Sequence, residues 1–172
     1  MAPAQLITTY LEMLRQDAFI PAYCADPAVQ VRPVKHITAD IYRQLYRGVG
    51  GQWGWRDRDV WSDEQLENWL AQPHIHLSIL YIGEEIGGYI ELEEHPEGVQ
   101  IAYFGIFESF YGRGYGKHLL SVAIQQAWDL GAARIWLHTC NLDSPQALPN
   151  YQARGFKTYK VETEPMPARY VE

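Results

Sequence analysis

Cysteine is scarce: the 172 residues contain two, Cys24 and Cys140, far apart and at no metal-binding spacing. No metal is therefore expected, and Cys140, inside the apolar run ARIWLHTC, reads as a buried structural thiol. Positive charge is also short, with 14 Lys and Arg against 21 Asp and Glu and a formal net charge of −7. That balance argues against a nucleic-acid partner, which calls for a basic footprint, and it suits a neutral or cationic small substrate. Long hydrophobic runs are missing as well. None approaches the roughly 20 residues needed to cross a bilayer, and the stretch from Met1 to Ile20 is interrupted by Glu12, Arg15 and Asp17 where a leader would be apolar. A soluble, cytoplasmic protein without a membrane partner is expected.

What is present is an ordinary globular balance, 47% hydrophobic and 20% charged. The length fits one domain over 1–172, read here as a core over about 27–165 preceded by a helical extension over 1–26. Leu6, Ile7, Tyr10, Leu11 and Leu14 stand at helical spacing and predict an amphipathic helix over 4–14. Val29, Val31 and Val34 suggest a first strand. Thr38 and Asp40 are suitable caps for a helix to about Tyr46, and Ser62 with Gln65 has capping-box spacing for another to about Leu70.

Three strand signals follow at 76–82, 86–94 and 99–107, with turns between them. A helical pattern then carries Leu119, Leu120, Ala123, Ile124, Ala127 and Trp128 on one face and stops at Gly131. A strand at 133–140, a short helix at 143–154 and a last strand at 156–162 complete the chain. The order implies a mixed α/β (α+β) sheet, mostly antiparallel, flanked by helices, with parallel pairing confined to the strand–helix–strand crossover.

The most informative segment is FESFYGRGYGKHLL at 107–120. Gly112, Gly114 and Gly116 lie between a strand and a helix, where they let the backbone turn tightly and aim several N–H groups at one point. The positive end of the helix adds to this, so a phosphate or pyrophosphate is the natural guest, with Arg113 and Lys117 as cations beside it. The dinucleotide fingerprint does not fit, because the third glycine comes one residue early. A Walker loop is excluded by Tyr111 and His118. A tight connection without a ligand stays open on this segment alone.

Together with the preceding strand IAYFGIF, this turn resembles the acyl-CoA-binding turn of the GNAT N-acetyltransferase superfamily, whose pattern is [QR]-x-x-G-x-[GA]. A second block, HTCNLDSPQALPNYQARGF at 138–156, resembles that family's closing signature, with Asn141, Ala147, Tyr151, Gly155 and Phe156 at its positions. The resemblance covers about residues 27–165. It implies a central sheet splayed between the fourth and fifth strands and acetyl-CoA as cosubstrate. It implies transfer of acetyl to a primary amine by direct attack in a ternary complex, and it leaves a homodimer open. Tyr111 stands where the family has Gln or Arg.

The resemblance also implies roles. Free backbone groups of Gly105, Ile106 and Phe107 would hold the pantetheine arm, and the cradle at Gly112, Arg113, Gly114, Tyr115, Gly116 and Lys117 would hold the pyrophosphate. Asn141 would bond the cofactor arm or backbone, a plain turn residue being the alternative, and Tyr151 would protonate the departing thiolate. The amine must first lose a proton. Many relatives carry a glutamate where this chain has Gln100, so Glu91, Glu93 and His138 are weighed as the base, and Glu93 is chosen.

The loop with Trp53, Trp55 and Asp57 is expected to wall the acceptor pocket, aromatic faces suiting a small cationic amine; a protein amine remains open. The competing reading is a non-catalytic acyl-CoA-binding or sensing module, motivated by Gln100 and Tyr111.

Overall fold

The computed structural model describes residues 2–171. One seven-stranded sheet runs in the order β2-β3-β4-β5-β6-β1-β7. Its strands are β1 (Gln5–Met13), β2 (Val29–Val34), β3 (Ile75–Ile82), β4 (Glu85–His95), β5 (Gly98–Ile106), β6 (Ile135–Cys140) and β7 (Lys157–Pro165). The helices are α1 (Ala39–Gly50), α2 (Asp63–Leu70), α3 (Tyr115–Asp129) and α4 (Ala147–Ala153). Every neighbouring pair is antiparallel except β5 and β6, which α3 connects as the expected crossover.

Local chemistry sets most boundaries as the sequence predicts. Thr38 caps α1 by accepting from the Ile41 amide, and Ser62 and Gln65 close a reciprocal capping box on α2. Gly131, with φ of +84°, ends α3.

The N-terminal segment departs from expectation. Residues 4–14 do not form a helix: β1 inserts between β6 and β7, pairing Tyr10 with His138 on one side and with Lys160 on the other. Its apolar residues serve two faces. Leu11 and Met13 are buried under α3, whereas Leu6, Thr8 and Tyr10 line a cavity on the opposite face. A strand with apolar groups on both faces loses its two-residue alternation and imitates a helical stripe.

Two apolar layers sandwich the sheet. Under α3, Leu80, Ile90, Leu92, Leu119, Leu120 and Leu137 pack with Phe156. On the other face α1 and α2 press Tyr42, Leu45, Tyr46 and Leu66 against Leu77, Ile79 and Tyr89. Gly155 lets the chain turn out of α4 with φ of +107°, and a Cβ there would overlap the Ala18 carbonyl oxygen. Gly155→Ala is expected to lose about 1–3 kcal/mol, read as a drop in melting temperature of about 2–4 °C per kcal/mol.

The segment after β1 is tied to α3 by two bonds. The Cys24 amide donates to His118 Nδ1 at 2.9 Å, and the Ala22 amide donates to Ser121 Oγ at 2.9 Å. Burial pushes the His118 imidazole below its ordinary pKa, so the folded chain holds it neutral. The unfolded chain takes up a proton there first as pH falls. This contribution to stability is therefore complete above about pH 6.5 and fades below it. Melting temperatures measured from pH 7.5 to 5 should fall less steeply in His118→Gln than in the wild type.

Candidate active site

Only Val99↔Ile135 and Gln100↔Trp136 join β5 to β6. Beyond Gln100 the two strands part, and a cavity of about 610 Å³ opens between them. The splay falls between the strands at 98–106 and 135–140, as the sequence resemblance implies; it becomes the fifth-to-sixth gap once β1 is counted.

One end of the cavity is the glycine turn. Gly112 and Gly114 have φ of +77° and +81°, and Gly114 is the N-cap of the fifteen-residue α3. Gly112, Gly114, Tyr115 and Gly116 line the cavity. The amides at the start of α3 have no partner within the helix and carry its positive end. A Cβ at Gly112 would meet nothing within 4 Å, at Gly116 nothing nearer than 3.8 Å, and at Gly114 the Lys117 side chain at 3.2 Å, so Gly112 and Gly116 leave open space on the cavity side of the turn. Arg113 and Lys117 stand outside the cavity lining. The Arg113 guanidinium lies 5.7 Å from the Phe110 ring, and the Lys117 side chain arches beside Gly114. The donor set and the open space fit a diphosphate.

The free edge of β5 forms the next stretch. The Phe107 amide donates to Gly87 O at 2.8 Å, toward β4, and Phe107 does not line the cavity. Successive residues of a strand alternate between their two neighbours, so the backbone groups of Ile106 face the open edge and those of Gly105 face β4. Of the three residues expected to offer free groups, Ile106 alone is so oriented. Gly105 has a different purpose: a Cβ there would overlap the Val49 side chain, so glycine allows α1 to approach. The irregularity in β5 lies instead at Ala102, the residue skipped when pairing passes from Glu91↔Tyr103 to Leu92↔Ile101.

Tyr151 reaches the cavity from α4, its ring packed between Phe104 and Phe156. Burial, with Asp143 second, pushes its phenol above the ordinary range, so it carries its proton throughout the neutral range. Asn141 is occupied elsewhere: its side chain accepts from the Ile7 amide at 2.9 Å and donates to Gln5 O at 3.0 Å, clamping β1 to the end of β6. Cys140 is a free, half-buried thiol on the cavity wall rather than in the core. Burial and Asp143 raise its pKa, which keeps it protonated.

At the crotch of the splay, Glu93 lies across β4–β5 from Gln100 and lines the cavity. Glu91 and Glu93 face one side, as their alternation requires, but their surroundings differ. Glu91 is fully buried, accepting from Tyr42 Oη at 2.7 Å and pairing with Arg58 at 2.8 Å. The Arg58 guanidinium lies 4.4 Å from the Trp61 ring and 4.9 Å from that of Tyr103. Glu93 is 3.7 Å from the same arginine and 3.2 Å from His95 Nε2. His138 is exposed at the cavity wall beside Tyr10.

The aromatic loop closes the far end. Trp53, Trp55 and Asp57 all line the cavity, as expected for a wall. Their partners were not visible in sequence. Trp55 Nε1 donates to Asp143 Oδ1 at 3.1 Å, and Tyr111 Oη accepts from Gln52 Nε2 at 2.8 Å and Trp53 Nε1 at 3.2 Å. Asp57 pairs with Arg169 at 3.3 Å, which compensates the carboxylate expected to meet an amine. Tyr170, beside Gly54, adds a further aromatic wall. Each of these contacts spans more than fifty residues and leaves no local pattern. Among the described residues no group of three or more His, Cys, Asp or Glu is placed to hold a metal, and no helix is long and apolar enough to cross a membrane.

Residues 36–156 match the model of the Acetyltransferase (GNAT) family. The chain is 33% identical over 102 residues to the uncharacterized N-acetyltransferase YvbK of Bacillus subtilis, covering 59% of this chain and 64% of that protein. It is 32% identical over 105 residues to the uncharacterized N-acetyltransferase YycN of the same organism, covering 58% and 66%. The matches thus span just under two thirds of these curated relatives. Among solved structures, a GCN5-related N-acetyltransferase from Sphaerobacter thermophilus superposes with a TM-score of 0.64 at 15% identity, over 95% of this chain and 52% of that one, a likeness of fold.

Proposed function

The chain belongs to the GNAT acetyltransferase family, and on that premise we propose that it moves an acetyl group from acetyl-CoA to a primary amine by direct attack in a ternary complex. One observation carries the reading: the unpartnered amides of the glycine turn, the phenol of Tyr151 and the aromatic loop line a single cavity where the sheet parts. The amides of Gly112, Gly114, Tyr115 and Gly116 grip the pyrophosphate, with Arg113 and Lys117 adding charge at the rim. The open edge at Ile106 holds the pantetheine arm. Glu93 accepts a proton from the ammonium, and Tyr151 gives one to the departing thiolate.

The acceptor we propose is a small cationic amine. Both arginines of the lining are compensated, Arg58 by Glu91 and Arg169 by Asp57, while Glu93 and Glu164 face the cavity with Tyr10, Tyr46, Trp53 and Trp55. Nothing there offers an unpaired cation to an anionic acceptor.

The test is calorimetric titration with coenzyme A, followed by thiol release from acetyl-CoA with 2-phenylethylamine, tyramine, spermidine and a peptide with a free N-terminus. Binding with turnover on the small amines is expected. Absence of coenzyme A binding defeats the proposal. Binding without turnover on any amine favours the sensing module, the reading to which Gln100 and the engaged Tyr111 point.

A further inference from the structure

Acetylation of an alkylamine has a fixed proton balance. The ammonium and the thioester become an amide, a thiol and one proton; of the two protons the nitrogen gives up, one ends on sulfur and the other must leave the site. If Tyr151 supplies the sulfur and recovers its proton from the attacking nitrogen, the other nitrogen proton must travel from the amine side to solvent. The crotch of the splay is enclosed by the last pairing of β5 with β6, and the Glu93 side chain there is 12% exposed. A proton leaves such a carboxylate either through water in the cavity or through a neighbour that can both accept and release.

The groups facing Glu93 leave one such neighbour. On Oε1 stands Arg58 at 3.7 Å, a permanent cation already paired with Glu91 at 2.8 Å and boxed by Trp61 and Tyr103. Across the ladder stands Gln100, which does not titrate. On Oε2 stands His95 Nε2 at 3.2 Å. His95 sits two residues along β4, at the strand's end, with its side chain 33% exposed and its ring held 5.2 Å from that of Trp136. Trp136 is the last β6 residue paired with β5, so the imidazole is fixed at the closed end of the splay with Nε2 toward the carboxylate and a third of the side chain open to water.

We propose that His95 is a positioning and proton-export residue. With its hydrogen on Nδ1, it accepts at Nε2 the proton that Glu93 has removed from the ammonium, holds the carboxyl group in the cavity through that hydrogen bond, and releases the Nδ1 proton to solvent. Proton exchange between the partly exposed ring and water then restores the Nδ1–H tautomer before the next turnover, and no further reactant is consumed. The inference rests on Glu93 serving as the base.

The test uses the fastest amine of the panel above and compares His95→Phe, His95→Gln and Glu93→Gln by thiol release. Phenylalanine keeps the ring against Trp136, and glutamine keeps a hydrogen-bonding group without a titrating one. Both His95 variants are expected to lose at least about tenfold in kcat with KM for acetyl-CoA unchanged. Imidazole added to the buffer should raise the kcat of His95→Phe several-fold and leave the wild type unaffected. Wild-type turnover in His95→Phe overturns the proposal, as does full activity in His95→Gln, which would reduce the role to a hydrogen bond. A slow His95→Phe that imidazole does not accelerate overturns it too. Unimpaired Glu93→Gln instead removes the underlying choice of base, whatever the histidine variants do.

Discussion

Glu91→Ala is expected to lower the melting temperature by about 6–20 °C, the largest stability loss of any single substitution considered for this chain. The carboxylate is fully buried and answers three donors: Tyr42 Oη at 2.7 Å, Arg58 Nη2 at 2.8 Å and Trp69 Nε1 at 3.4 Å. Burial pushes the Tyr42 phenol far above its ordinary pKa, so it donates as a neutral group. Alanine would leave the Arg58 guanidinium, itself 6% exposed, without its closest counterion. Removing one partner of a buried pair costs about 3–5 kcal/mol, chiefly because the other charge is stranded, and a chain of this size loses about 2–4 °C per kcal/mol. The double variant Arg58→Met/Glu91→Leu should be distinctly more stable than Glu91→Ala, since an apolar replacement of both charges leaves none uncompensated. A thermal melt of the two variants decides the matter. Equal losses would mean that the cluster acts through packing alone.

Tyr151→Phe should lower kcat by about 10²–10⁴-fold, the range of a lost general acid, while the melting temperature stays within a few degrees of wild type. The ring contacts with Phe104 and Phe156 survive the change, so only the hydroxyl is removed. Affinity for coenzyme A by calorimetry should be unaltered, because the glycine turn proposed to hold the pyrophosphate lies on a different element. The wild-type phenol is held above its usual range by burial and Asp143, so activity should not decline through Tyr151 ionisation below pH 10. A Phe variant with wild-type turnover would reassign the residue to packing.

Features that depend on neighbours in sequence were legible before any coordinates. The glycine turn is defined by backbone conformations that few other residues adopt, and the caps at Thr38, Ser62 and Gly131 satisfy helix ends within four residues. The splay followed from the resemblance rather than from any periodicity. What escaped notice depends on distant partners. β1 hides its strand character because both faces carry apolar groups. Asn141 and Asp57 look available in sequence, yet the first is taken by Gln5 and Ile7 and the second by Arg169. Gly105 is expected to offer free backbone groups, yet its glycine allows α1 to approach and the irregularity of β5 falls at Ala102, because a glycine kept for helix packing and one kept for a ligand look alike in sequence. Arg58 drew no notice as a core residue, since a buried arginine is unusual until its carboxylate is seen.

The position of β1 has a consequence for how the molecule comes into being. β1, the first strand of the described residues, lies between the last two, with Tyr10 paired to positions 138 and 160. Until β6 and β7 have been made, β1 has no ladder to join, and loop closure of that length slows assembly. β3 to β5 can meanwhile form a meander by successive hairpins, and β2 can join it across α1 and α2. A change that keeps β1 out of the sheet would therefore leave β7 without the strand it pairs with among the described residues and the cavity without Leu6, Thr8 and Tyr10, although every residue of the glycine turn were in place.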